Sequence, residues 1–282
     1  MISNRKSSII RVLKILQPLL NLISVKTSAI KKTSEPNIIF IVGIPRSGTT
    51  LSYQIFSNYF QCSYLRNIDN LFYKNFYWTL NKLKKHEVTD YKSNLGFTSG
   101  VYGHAEGRSI FKYWLNNDLT ESEKFDFNLN KIIEFKGTIS SVSSKHNPFI
   151  FSYIGNLFIV NKLLALFPNS VVIRLRRNTK DLSRSLEKLH EKNSFFSLKP
   201  IGYKNQLSKS NRVKAQFQIK RCEKILFQSK HGRIFDLDYE EICLNTEESL
   251  LRFKKFYDNI FNSDLLKRKG IVLPRFIPKK YD

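Results

Sequence analysis

The sequence predicts a three-layer α/β fold, a mainly parallel central sheet with helices on both faces. Three observations carry this reading. Short β-branched runs occur without polar alternation, as in strands buried on both faces. Stretches with helical spacing of apolar residues lie between them. The first strand passes into its helix through a loop that contains glycine. The 282 residues suit one large domain or two small ones and suffice to bury a sizeable core.

In chain order, residues 38–42 (IIFIV) form the first strand, bounded by Pro36 and Gly43. Residues 50–60 then place Leu51, Ile55, Phe56 and Tyr59 at helical intervals. Residues 156–167 read as a helix leading into a second strand, 170–175, and residues 180–190 as the helix that follows. A third strand is expected at 233–237, with an amphipathic helix at 247–261. The polar stretch 204–214 reads as an exposed loop, and no internal repeat is visible. The expected organisation is a basic amphipathic segment over 1–35, a main domain over 36–262 and a basic tail over 263–282 that either joins the donor site or is solvated.

Composition narrows the class. With 23 Phe and 13 Tyr the chain is not wholly disordered, and 11 Gly and 8 Pro exclude a collagen-like protein. Cys62, Cys222 and Cys243 have no paired spacing, which excludes a disulfide scaffold and a cysteine zinc site. A reducing, cytoplasmic compartment is the simpler expectation. The 47 Lys+Arg against 23 Asp+Glu give a net charge of +24. That excess fits nucleic acid, an anionic membrane or small anions such as phosphates and sulfates, and also a merely solvated basic surface. No segment reaches the roughly 18 uninterrupted apolar residues of a membrane-spanning helix. The nearest, 9–25, is broken by Arg11, Lys14, Gln17, Pro18 and Asn21. Residues 9–32 therefore read either as a peripheral membrane contact or as a helix packed on the domain.

The loop after the first strand is Gly43-Ile44-Pro45-Arg46-Ser47-Gly48-Thr49-Thr50. Its frame is close to the phosphate-binding pattern G-x-x-x-x-G-K-[ST], so the sheet is expected to be of the P-loop nucleotide-binding type. Glycine allows the tight turn, successive N–H groups point into one concavity, and the helix start adds partial positive charge. Thr49 stands where a nucleotide triphosphatase has lysine, and the fixed charge sits at Arg46 instead. Asp236 and Asp238 are weak candidates for a magnesium ligand, so magnesium-dependent triphosphate hydrolysis is disfavoured and no metal is expected.

The run from Ile41 to Leu51 resembles the 5′-phosphosulfate loop of the sulfotransferases, whose core is P-[RK]-S-G-T-T. The resemblance implies a P-loop-type α/β fold and 3′-phosphoadenosine 5′-phosphosulfate (PAPS) as donor. The family's second signature is an arginine after a buried strand with a serine eight residues on, and Arg177 and Ser185 have that spacing. Thr179 departs from the usual proline. Gly96, Thr98, Gly100, Glu106, Phe111 and Trp114 resemble a segment of a bacterial branch in which His104 takes a proline position. The segments 197–200 and 239–241 fit the same branch, and the resemblance spans about residues 37–260.

The resemblance implies roles. Arg46 would neutralise the 5′-phosphate and the departing oxygen. Pro45, Ser47, Gly48, Thr49 and Thr50 would complete the loop, the last three also being ordinary helix-start residues. Arg177 and Ser185 would hold the 3′-phosphate. Sulfuryl transfer also needs a base, with Glu106 the first candidate, His104 the second and Asp69 among the remainder; each has a structural alternative. The triplet Arg268, Lys269, Gly270 is either a further 3′-phosphate grip or part of a solvated tail. The acceptor would be a hydroxyl or amine of a saccharide, lipid or small molecule, shaped by residues 67–114 and 194–214. Two competing readings are a P-loop kinase or triphosphatase and a non-enzymatic nucleic-acid or membrane-surface binder. No nucleic-acid module is present, and no specific nucleic acid is expected.

Overall fold

The structure, a computed structural model, describes residues 35–83, 90–93, 96, 98–122, 126–192 and 198–281. Five strands form one sheet: β1 (Ile38–Gly43), β2 (Ser63–Tyr64), β3 (Phe149–Phe151), β4 (Ser170–Arg176) and β5 (Ile234–Asp238). Their order is β2-β3-β1-β4-β5, and every pairing is parallel. The helices are α1 (Thr49–Tyr59), α2 (Asn67–Leu71), α3 (Phe76–Lys82), α4 (Arg108–Leu115) and α5 (Leu129–Ser140). They continue with α6 (Val160–Leu166), α7 (Thr179–Lys192), α8 (Asn211–Gln228), α9 (Tyr239–Leu244) and α10 (Thr246–Phe261).

The strand period of two divides the core. Ile38, Phe40 and Val42 face one layer, with Phe151 and Val172 beside them and α3 to α8 covering them. Ile39 and Ile41 face the other, with Ile150, Val171 and Ile173, under α1, α9 and α10. All five residues from Ile38 to Val42 are fully buried, so each stabilises the fold by about 1.5–3 kcal/mol. This is the three-layer arrangement that the uninterrupted apolar runs predict.

The structure adds what periodicity cannot show. β2 and β3 are two and three residues long, too short for any period. The predicted helix over 156–167 is a 3₁₀ segment, Ile154–Ile159, followed by α6. The predicted loop over 204–214 holds a 3₁₀ turn, Tyr203–Gln206, and the first residues of α8. Ala215, Ile219, Cys222 and Leu226 form the buried stripe of α8, whose polar start masks it in the sequence.

The weak magnesium candidates have other partners. Asp236 takes a two-pronged ion pair from Arg174 at 2.6 and 2.8 Å across the β4–β5 register, and Asp238 pairs with Arg176 at 3.3 Å. Among the described residues no three His, Cys, Asp or Glu side chains gather as a metal site. No described helix is long and apolar enough to cross a membrane. The 1–35 segment, with its membrane reading over 9–32, lies outside the described residues except for Glu35, whose carboxylate pairs with Lys136 at 2.7 Å. The three cysteines are buried and unpaired, and burial pushes the Cys62 thiol up to about 12.

The strand order decides where a ligand can sit. β1 lies between β3 and β4, so the chain winds outward in both directions from it. A crevice opens beyond the carboxyl ends of strands at such a switch point. Residues following β1, β3, β4 and β5 all line one cavity there, of about 260 Å³.

Candidate functional site

The loop from β1 to α1 forms the cavity floor. Pro45, Arg46, Gly48, Thr49 and Thr50 line it. Arg46 has φ of +75° and Gly48 has φ of +97°, left-handed conformations that turn the backbone inward. For a non-glycine residue that conformation costs about 1–3 kcal/mol and persists only where surrounding structure holds it. Gly48 is also the N-cap of α1, with no side-chain cap and no acidic residue in the first turn. The first N–H groups of α1 thus lack a carboxylate partner at the positive end of the helix dipole. The Ser47 hydroxyl is buried beside them with no hydrogen-bond partner among the described residues.

The second sequence signature folds onto this loop. The Arg46 guanidinium donates through Nε to Ser185 Oγ at 3.1 Å, across a separation of 139 residues. Arg177, just past β4, donates through one terminal nitrogen to the Arg46 carbonyl at 2.7 Å. Its Nε is buried without a hydrogen-bond partner among the described residues. The Arg177 guanidinium also lies 4.4 Å over the ring of Tyr239, at the end of β5. The same tyrosine roofs the loop, since a Cβ on Gly48 would fall 2.2 Å from Tyr239 Cδ2.

Residues 279–281 close this end of the cavity. Arg177 donates its other terminal nitrogen to the Lys279 carbonyl, and Ser185 Oγ donates to Tyr281 Oη at 3.1 Å. Burial alone would raise the Tyr281 phenol. Its hydrogen bonds to Ser185 and Arg46, with the charges of Lys279 and Arg46, instead hold it below the usual tyrosine value.

Glu106 stands on the opposite wall, reached by a loop pinned at several points. Asn67 at the start of α2 donates to the carbonyls of Thr98 (3.0 Å) and Gly100 (2.7 Å), and Thr98 Oγ1 donates to the His104 carbonyl at 2.7 Å. A Cβ on Gly96 would lie 3.1 Å from Glu106 Oε1 and 3.6 Å from Thr50 Oγ1, so the carboxyl and the loop threonine converge there. Burial pushes the Glu106 carboxyl up to about 7, a rise that the positive charge of Arg46 partly opposes.

His104 also borders the cavity, but its ring is held elsewhere. Nε2 lies 2.6 Å from Ser57 Oγ, and the ring stacks on Tyr64 with centroids 4.1 Å apart. Asp69 is fully buried in a two-pronged ion pair with Arg66 that caps α2, so it faces no acceptor. The Arg268–Lys269–Gly270 triplet is not brought to this cavity. Arg268 donates to the carbonyls of Ser57, Phe60 and Cys62 at the far end of α1, roughly 15 Å of helix from the loop. Of the expected acceptor segments, Asn67, Asn70, Ser93, Gly96 and residues 104–108 line the cavity; the described part of 194–214 does not. Sequence reasoning missed Tyr153, Ile154, Leu189, Lys279 and Tyr281, which line it too. Tyr153 and Ile154 follow a strand too short to read, and the two tail residues carry no motif.

Comparison with known proteins agrees with this geometry. A profile of the sulfotransferase family matches residues 36–258, about four-fifths of the chain. No curated protein matches the sequence. Among solved structures, the fold is similar to sulfotransferase STF9 from Mycobacterium avium, with TM-score 0.58 and 12% identity, covering 85% of this chain and 68% of that one. It is also similar to sulfotransferase STF1 from Mycobacterium tuberculosis H37Rv, with TM-score 0.53 and 11% identity over 87% of this chain and 74% of that one. A phosphate-type loop at the switch point of a parallel α/β sheet, together with the family match over most of its length, shows that this chain belongs to the sulfotransferase family.

Proposed function

We propose that this sulfotransferase takes its sulfuryl group from PAPS and passes it to a hydroxyl or amine of a saccharide, lipid or small molecule. The carrying observation is the 3.1 Å contact between Arg46 and Ser185, which joins the two sequence signatures in one cradle. The donor fits the residues present. The partnerless Ser47 hydroxyl and Arg177 Nε, the uncapped start of α1 and the guanidinium of Arg46 are all suited to anionic oxygens.

In this reading the acceptor oxygen or nitrogen attacks sulfur as the bond from sulfur to the 5′-phosphate oxygen breaks. The departing nucleotide carries the extra negative charge, and Arg46 with the α1 N–H groups stabilises it. Glu106 receives the acceptor's proton. A carboxyl held near 7 is matched to that task, since the carboxylate is populated at neutral pH and still basic enough to take the proton. Arg177 and Ser185 hold the 3′-phosphate and so fix the donor's register. Residues 36–262 would supply the catalytic domain, and the tail its donor-side wall.

The test is transfer of radiolabelled sulfate from PAPS to panels of acceptors, with Arg46→Ala as the blank. Label that moves with wild type and not with the variant supports the reading. Magnesium-dependent ATP hydrolysis without sulfate transfer would overturn it.

A further inference from the structure

Residues 276–281 have no regular secondary structure, yet both ends are fixed. Phe276 is buried against the ring of Tyr91, with centroids 5.2 Å apart, whereas Ile277 is 81% exposed. At the other end the Tyr281 N–H donates to Asp181 Oδ1 at 2.8 Å, and Arg184 donates to the Tyr281 carbonyl. The Lys279 N–H donates to Tyr239 Oη at 3.3 Å. The segment is therefore a strap tied to α7 and to the roof tyrosine.

Its contacts coincide with the groups assigned to the 3′-phosphate. The Lys279 carbonyl accepts from Arg177, and the Tyr281 hydroxyl accepts from Ser185. With the strap in place Ser185 is only 3% exposed, so a phosphate cannot reach its hydroxyl unless Tyr281 moves. The carbonyl and the phenol oxygen occupy the hydrogen-bond positions that two phosphate oxygens would take. A phosphate dianion would turn the Arg177–carbonyl bond into an ion pair and the neutral Ser185–Tyr281 bond into a charge-assisted one, both stronger than the contacts replaced. The cavity of about 260 Å³ is also small for its task, since ligand pockets usually run to roughly 300–1,000 Å³.

We propose that residues 279–281 form a self-occupying strap, in which the Lys279 carbonyl and the Tyr281 hydroxyl fill the Arg177–Ser185 cradle and exchange with the donor's 3′-phosphate. Donor loading and strap release are then one event, and the release widens the cavity before an acceptor enters. The strap lowers apparent donor affinity by the fraction of molecules in which it is open. This inference rests on the donor reading above.

The experiment uses the full chain, Tyr281→Phe and a chain lacking residues 279–282, each checked for folding by circular dichroism. Calorimetry measures binding of 3′-phosphoadenosine 5′-phosphate and of AMP, and hydrogen exchange follows the amides of residues 276, 277 and 279–281. The 3′,5′-bisphosphate should speed exchange at Lys279 and Tyr281. Deleting 279–282 should tighten it about tenfold if the strap is open in roughly a tenth of molecules, and Tyr281→Phe should tighten it by less. AMP should change less than twofold. Slower exchange at 279–281, or weaker or unchanged bisphosphate binding after deletion, would overturn the strap and leave the donor reading standing. Folded proteins that bind no bisphosphate in any form would overturn both.

Discussion

Arg46 shows how one residue can be legible in type and illegible in conformation. The sequence places a fixed positive charge inside the loop, but the φ of +75° that aims it inward is visible only in the structure. Replacing Arg46 with alanine would remove charge from the proposed departing oxygen and the bond to Ser185, while its Cβ keeps the left-handed strain at φ +75°. We expect kcat to fall about 10²- to 10³-fold with a much smaller change in thermal stability. Steady-state kinetics beside a melting curve checks both halves. In the proposed mechanism Glu106 carries the pH dependence. Because its carboxyl is pushed up to about 7, kcat/KM should rise with pH through that region as the base loses its proton. Glu106→Gln should flatten that limb and lower kcat about 10²- to 10⁴-fold. The folded carboxyl keeps a proton that the unfolded chain loses near its ordinary value, so its stabilising contribution is present below pH 4.5 and is lost as pH rises through about 7. Glu106→Gln should therefore raise Tm relative to wild type at pH 8 and not at pH 4.

At the scale of elements, α1 is the structural hinge of the site. Its N-terminus is left without a side-chain cap, so its orphan N–H groups face the cavity. Gly48 makes this possible by its left-handed turn and by admitting Tyr239 to its face. Gly48→Ala should destabilise the protein by about 1–3 kcal/mol from backbone strain, with further loss because Tyr239 must move. Urea titration measures it, and donor binding should weaken in parallel. The elements legible beforehand were the uninterrupted apolar runs of β1 and β4, with β5, and the helices with an apolar period, α1, α7 and α10. β2 and β3 were not, because two or three residues are too short to stand out as a run, and α8 was partly hidden by a polar first turn. The short β3 nonetheless matters, since Tyr153 and Ile154 follow it into the cavity wall. Truncating Phe151, which stacks on Phe40 at 5.7 Å, should cost about 3–5 kcal/mol of folding stability by urea titration.

Over the whole molecule, the +24 charge finds a partial use. Arg46 and Arg177 line one cavity, where the proposed reading gives them a shared anion, whereas Arg174 and Arg176 pair with Asp236 and Asp238. The field of the remaining cations should draw an anionic donor in, so its association rate should fall with rising salt, as stopped-flow mixing would measure. A nucleotide that binds only the native state must stabilise it. At a hundred times its Kd, 3′-phosphoadenosine 5′-phosphate should add about 2.7 kcal/mol, without magnesium, seen as a rise of several degrees in Tm.

The sequence alone determined the layer architecture, the loop and the spacing of the second signature. These are local facts, written in apolar period, in glycine placement and in residue order along a single strand and helix. Only the tertiary structure decided which charges meet. It set Arg46 against Ser185, took Arg268 to the other end of α1 and brought Tyr281 into the cradle. Those choices depend on strand order and on a tail without regular structure. Contacts between residues roughly a hundred or more positions apart leave no periodic trace in the chain.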